Sequence, residues 1–306
     1  MRHYWMFPSA MAADAMRVAL IADSIDWHAT ALLRAFSEAR IDATWMRLAD
    51  CSFATSAAHG VIMPGLGESL PDFVFVREIA GGSFEAVTRR LGILHALREL
   101  GVRVCNDARA IERCVDKSTT SFLLTEAGLP TPPSWAVEGR EAACAIVARE
   151  VAACPLVLKP LFGSQGRGLM LVRSADDLPP PETVAQVYYL QRYVPAGAEG
   201  FLDHRLFVCG GEVIGAMTRR ADRWITNIKR GGKAESLKPD REMIALAQRA
   251  AAAVGADCAG VDLLRDRRGR LQLLEVNSMP GWRGLQRVTA GSIAERIVAS
   301  LLVKVA

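Results

Sequence analysis

No stretch of this 306-residue chain approaches the roughly 20 apolar residues that a bilayer span needs. Residues 1–16 carry Trp5, Phe7 and Pro8 but no continuous apolar core. They read as a tail rather than a signal peptide, with Met11 and Met16 as alternative starts. Histidine is scarce, five in all and scattered, which leaves a zinc site poor prospects. The seven cysteines form no CxxC pair and no even-numbered framework, so reduced core thiols and a cytoplasmic setting are expected. An excess of charge of one sign is nearly absent as well, with 37 Lys and Arg against 33 Asp and Glu. A net charge of +4 is too small to argue for nucleic acid, yet it does not repel small anions. The chain shows no internal repeat and no Walker A or dinucleotide fingerprint. It also has no Ser/His/Asp or Cys/His constellation for a covalent nucleophile.

Hydrophobic residues, in contrast, make up 51%, enough for a large core and two or three domains. Residues 17–22, 41–48, 73–76 and 102–105 read as buried strands, with helices over 27–39 and 84–100, the second capped by Ser83. Strands alternating with helices predict a small parallel α/β domain. Ligands of such domains collect beyond the carboxyl ends of strands, where Ser24, Trp27, His28, Arg77 and Asn106 lie. Residues 107–128 read as one helix, stopped by Pro130, Pro132 and Pro133. The expected organisation is a tail (1–16), an N-terminal α/β domain (17–112), a central subdomain (113–190) and a C-terminal subdomain (191–306).

Three stretches carry chemistry. Residues 260–277 read as a β-hairpin around a polar, Gly-containing turn. A four-residue loop, 266–269, would pair Asp262 with Leu273 and bring Asp262, Glu275 and Asn277 to one face. A three-residue loop would break that parity. Two carboxylates and an amide oxygen are hard ligands that suit Mg²⁺ or Mn²⁺ shared with substrate phosphates. The second stretch is Gly163-Ser164-Gln165-Gly166-Arg167-Gly168 between two apolar runs, a flap whose backbone N–H groups can approach phosphates. Lys159, on the strand entering it, supplies a point charge, an order opposite to that in protein kinases. The third is the loop around Trp224, Asn227 and Arg230, rich in donors.

Taken in order, Lys117, Lys159-Pro-x-x-Gly-Ser-x-Gly-x-Gly, Gln191-Arg-Tyr-Val, Asp203-x-Arg205, Arg219, Trp224-x-Thr-Asn227, Asp262 and Glu275-Val-Asn277-x-x-Pro-Gly-Trp resemble the ATP-grasp superfamily. Within it the chain is similar to RimK-like α-L-glutamate ligases, a group that includes ribosomal-protein, tetrahydromethanopterin and deazaflavin-coenzyme glutamate ligases. The resemblance implies an α/β (α+β) ATP-grasp fold behind an N-terminal parallel α/β domain. It implies ATP as cosubstrate, with Lys117, Lys159 and residues 163–168 on its phosphates. Gln191, Arg192, Tyr193, Val194 and Asp203 would hold the nucleoside, though Gln191 stands where several relatives carry Glu. Two Mg²⁺ (or Mn²⁺) would sit on Asp262, Glu275 and Asn277, with Arg219 and Asn227 beside the transferred phosphoryl and acyl groups. His28, Arg77, Arg205, Arg230 and Arg283 are expected to face substrate. The implied reaction is ADP-forming amide synthesis adding L-glutamate to a small pterin-type acceptor, without nucleic-acid or membrane partners. A homo-oligomer is compatible with it. The alternatives are a ligase acting on a protein tail or amino-acid carrier, and a non-catalytic nucleotide-binding module.

Overall fold

The computed structural model describes residues 16–163, 165–195, 197 and 199–302. Ser164 of the flap and residues 1–15 lie outside them. The first sheet is parallel, in the order Asp42–Met46, Arg17–Ile21, Phe73–Val76, Arg103–Cys105. Its strands are apolar on both faces because both are covered. One face, with Ala19, Ile21, Val74 and Val76, packs on Ile93, Leu94 and Leu97 of the helix Phe84–Glu99. The other, with Val18, Leu20, Phe73 and Phe75, shares a core with the helices Trp27–Glu38 and Ile293–Leu302 and with Phe207, Met217 and Trp282. The N-terminal strands and the end of the chain therefore bury one another.

The expected helix over 107–128 is two helices, Ala108–Val115 and Lys117–Glu126. Asp116 separates them with extended backbone (ψ 104°). Its carboxylate accepts from the Ser118 and Thr119 N–H groups, capping the second helix. This break puts Lys117 at a helix start instead of mid-helix. A central antiparallel sheet follows, ordered Ser134–Glu138, Val187–Arg192, Leu156–Lys159, Met170–Val172. The flap joins its last two strands, Leu158 pairing with Met170.

The third sheet is antiparallel, in the order Lys233–Ser236, Glu212–Ala221, Phe201–Cys209, Cys258–Arg265, Leu271–Asn277. The helix Arg241–Val254 covers one face, burying Met243, Ala247, Ala250 and Val254 against Leu206, Val208, Val261 and Leu273. The opposite face carries the polar residues of the site. One cysteine expectation needs correction. Cys209 and Cys258 are register partners on adjacent strands and are joined as a disulfide. Among the described residues, no helix is long and apolar enough to cross a membrane.

Candidate active site

The acidic hairpin does not have the expected register. Asp266 N–H donates to the Arg270 carbonyl at 2.9 Å, so the tip is the three residues 267–269. That turn alone would set Asp262 against Leu274. A bulge after Asp262 leaves Leu274 without a partner, and Asp262 stands directly opposite Glu275. Gly260 opposes Asn277, so Asp262, Glu275 and Asn277 share a face after all. The absence of a side chain at Gly260 matters, since a Cβ there would meet Pro280 at 2.9 Å.

The same face continues onto neighbouring strands. Arg205 opposes Asp262 and donates to both its oxygens, from Nε and Nη2, at 2.7 Å each. Arg219 opposes Asp203 and donates to both its oxygens at 2.6 Å. Its Nη2 also donates to Asp262 Oδ2 at 2.8 Å. The Thr226 hydroxyl donates to Asp203 Oδ2 at 2.6 Å. Burial alone would raise the Asp262 pKa, but Arg205 and Arg219 outweigh it and hold the carboxyl below its usual range. Burial alone would lower the Arg219 pKa, but Asp203 and Asp262 keep it above its usual value.

Asp203, Arg219, Thr226, Asp262 and Glu275 floor a cavity of about 530 Å³ between the central and C-terminal sheets, whereas Arg205 and Asn277 do not line it. Lys159 and Lys117 enter from the opposite side. Lys159 Nζ donates to Gln191 Oε1 at 2.7 Å, and Lys117 Nζ donates to the Gly163 and Leu161 carbonyls at 2.9 and 3.2 Å. Burial pushes the Lys159 ammonium down to about 8, with Glu275 pulling it up and Lys117 pushing it further down. Burial also lowers Lys117, against the pull of Glu275 and Asp116. Four cationic groups thus gather here (Lys117, Lys159, Arg205, Arg219) against the carboxylates of Asp203, Asp262 and Glu275.

The flap already leans on the loop carrying Asn227. A side chain at Gly166 (φ +68°) would collide with the Asn227 amide, and one at Gly168 (φ +69°) would meet Pro160 at 2.7 Å. Gln165 lines the cavity, as do Tyr193, Val194 and Asn227. Tyr193 meets Trp224 edge to face, ring centroids 6.1 Å apart. The Arg192 guanidinium turns outward to Glu150 at 2.5 and 3.0 Å and over Trp135. Gln191 is spent on Lys159. Arg230 is exposed on a neighbouring hollow of about 440 Å³ with Trp224 and Gly231.

His28, Arg77 and Arg283 do not line this cavity. His28 Nε2 accepts from Trp282 N–H at 3.2 Å, while its Nδ1 meets Asp26 Oδ2 at 2.9 Å. Arg77 donates to the Met279 carbonyl at 3.4 Å and stacks on Trp282. Arg283 is exposed over the Trp27 ring, 5.9 Å from its centroid. Sequence reasoning missed the apolar walls, Val157, Leu169, Leu264 and Leu274. Each reads as ordinary strand, and no motif distinguishes it.

Among the described residues no cluster of three or more His, Cys, Asp or Glu could hold a metal by itself. The hairpin offers two carboxylates and one amide, a set that fits Mg²⁺ or Mn²⁺ only if phosphate oxygens complete the shell. It keeps capacity to do so. Asp262 Oδ1 accepts one bond, from Arg205, and Asn277 Oδ1 accepts one, from Met279 N–H at 2.9 Å. Each oxygen retains a lone pair.

The cavity between two sheets, floored by acids and roofed by a glycine flap with paired lysines, lies in a fold shared with ATP-grasp ligases. A structure of the ATP-grasp ligase PsnB complexed with minimal precursor, Mg and ADP superposes with TM-score 0.72 at 20% identity. The match covers 95% of this chain and 97% of that one, and at this identity it shows the fold. Residues 114–301 match the RimK-like ATP-grasp domain, and the chain belongs to that family. The tetrahydromethanopterin:alpha-L-glutamate ligase of Methanosarcina acetivorans is 31% identical, over 87% of this chain and 92% of the relative. Its namesake in Methanococcus maripaludis is 34% identical, over 74% and 78%.

Proposed function

We propose that this chain joins the amine of L-glutamate to a carboxylate of a small pterin-type acceptor, releasing ADP and phosphate. The observation that carries this reading is the meeting, in one cavity, of Glu275 opposite Asp262 with Lys117, Lys159 and the glycine flap. The curated relatives supply the acceptor class and the amine.

A carboxylate is a poor electrophile. In the first step an acceptor carboxylate oxygen attacks the γ-phosphorus of ATP, the bond to the bridging oxygen breaks, and ADP leaves. In the second, the glutamate amine attacks the acyl carbon and loses a proton. Phosphate then departs carrying the former carboxylate oxygen. Negative charge develops on the phosphoryl oxygens, where Lys159, Lys117 and Arg219 concentrate positive charge. The residues that would hold two Mg²⁺ or Mn²⁺ are Asp262, Glu275 and Asn277; the ions supply further charge neutralisation there. Residues 192–194 would hold adenine against the apolar walls, and Asn227 would sit beside the acyl group. Arg230 and Arg283 are exposed cations suited to the glutamate carboxylates. A protein nucleophile is not needed. Burial pushes the Cys51 and Cys114 thiols up to about 11 and 12, so neither is a ready thiolate.

The test uses acceptor labelled with ¹⁸O in its carboxylate. Transfer of one label to released phosphate, with ADP as coproduct, supports the reading. Label kept wholly in the amide product, or AMP with pyrophosphate, overturns it. A peptide substituting for the pterin acceptor would move the acceptor assignment to a protein tail.

A further inference from the structure

The N-terminal domain reaches the metal hairpin through one buried side chain, Asn106, at the carboxyl end of the strand Arg103–Cys105. Its carboxamide is 2% exposed and makes three hydrogen bonds to main chain more than 150 residues away. Oδ1 accepts from Cys258 N–H at 2.9 Å; Nδ2 donates to the Cys258 carbonyl at 2.6 Å and to the Ser278 carbonyl at 2.5 Å. These partners fix the amide's orientation, because one N–H must meet oxygen and two carbonyls must meet the NH₂ group.

The location gives these bonds their meaning. The ladder between the two hairpin strands ends at Gly260 opposite Asn277. Past that point the second strand turns away, and Cys258 would present an unpaired N–H and C=O on that side. Asn106 supplies the missing donor and acceptor, so its side chain acts as one more peptide of the departed strand. With its second N–H it grips the carbonyl of the residue immediately after Asn277. Asn277 in turn folds its Oδ1 onto Met279 N–H at 2.9 Å. Residues 277–279 are thereby pinned at both ends.

We propose that Asn106 is a positioning residue for the divalent-metal site, setting where the Asn277 carboxamide and the end of the acidic strand lie. This rests on the metal-site reading given above. It assigns the N-terminal domain a part in the site that no cavity-lining residue reveals.

Asn106→Asp keeps the shape and the acceptor for Cys258 N–H, but turns an oxygen toward two carbonyls. Two affinities are measured on the full chain: Mn²⁺ in the presence of a non-hydrolysable ATP analogue, by electron paramagnetic resonance, and ADP in EDTA. The expected split is Mn²⁺ affinity weakened by about tenfold or more, as for other residues that orient metal ligands, with metal-free ADP affinity unchanged. Mn²⁺ affinity equal to wild type overturns the inference, as does an equal loss of both affinities. Should that variant not fold, Asn106→Ala, which admits water, is expected to show the same split at smaller size, and its absence there overturns the inference too. In the wild type the Cys258 amide should be protected from hydrogen exchange; exchange at the rate of an open loop refutes the bond. A wild type that binds no Mn²⁺ refutes the hairpin reading itself, and this inference with it.

Discussion

If Lys159 meets nucleotide phosphates, raising the pH should weaken nucleotide binding. Burial brings its ammonium from 10.5 down to about 8. Keeping it charged at neutral pH therefore opposes folding by about 3 kcal/mol, at ~1.4 kcal/mol per unit. The sign is that of a lysine with a depressed pKa. Between about pH 8 and 10.5 the unfolded chain binds more protons, so stability of the free protein rises with pH in that window. A bound polyphosphate favours the charged form and restores the proton. Binding above about pH 8 thus takes up one proton, and affinity should fall by about tenfold between about pH 7 and about pH 9. ADP is titrated calorimetrically in EDTA, in two buffers of different ionisation enthalpy, so that proton uptake is counted directly. Lys159→Arg holds its charge across the range and should flatten most of the slope, with a remainder from Lys117, which is displaced in the same direction. Lys159→Met should abolish nucleotide binding while stabilising the free protein. An affinity independent of pH, or an unchanged slope in Lys159→Arg, would show that Lys159 does not face the phosphates.

Glu275→Gln should lower ATP turnover by about 10²-fold, as with other groups that stabilise developing charge; activity near wild type in steady-state assays would remove the hairpin from the metal site. Asp203→Ala leaves buried Arg219 with Asp262 alone, which Arg205 already engages. Denaturant unfolding should report a loss of about 3–5 kcal/mol, and a loss below 1 kcal/mol would mean the triad is not formed in solution. Gly166→Ala combines a left-handed backbone with a clash against Asn227. Turnover should fall without loss of thermal stability, because the flap is exposed, and an unaltered rate would show that the flap does not close onto that loop.

The apolar periodicity of the sequence sufficed for the parallel sheet, the helices Trp27–Glu38 and Phe84–Glu99, and the flap strands. Local pattern is strongest where a single element buries a single face. The helix over 107–128 failed because Asp116 has a second use, ending one helix and capping the next. A side chain that satisfies its own backbone competes with helix in a way that hydrophobic spacing does not register. The acidic hairpin was reached by two errors that cancel. The tip is one residue shorter than the loop used for the count, and Leu274 bulges to restore the face. Bulges carry no reliable local signal, so only the outcome for Asp262, Glu275 and Asn277 was legible. The ion pairs of Arg205 with Asp262 and of Arg219 with Asp203 join residues brought together by strand pairing. The grip of His28, Arg77 and Asn106 on residues 258–282 crosses most of the chain, beyond the reach of any local pattern.

That shared burial has a consequence for how the protein is made. The strands Arg17–Ile21 and Phe73–Val76 leave the ribosome well before Ile293–Leu302, which packs in the same core. Val18, Leu20, Phe73 and Phe75 then wait with one apolar face incompletely covered while the central and C-terminal sheets are added. Nascent chains in that condition are prone to misassociation and are natural clients of chaperones. Translation arrested before the last helix should leave a species that binds hydrophobic dyes, even though its parallel sheet is fully encoded.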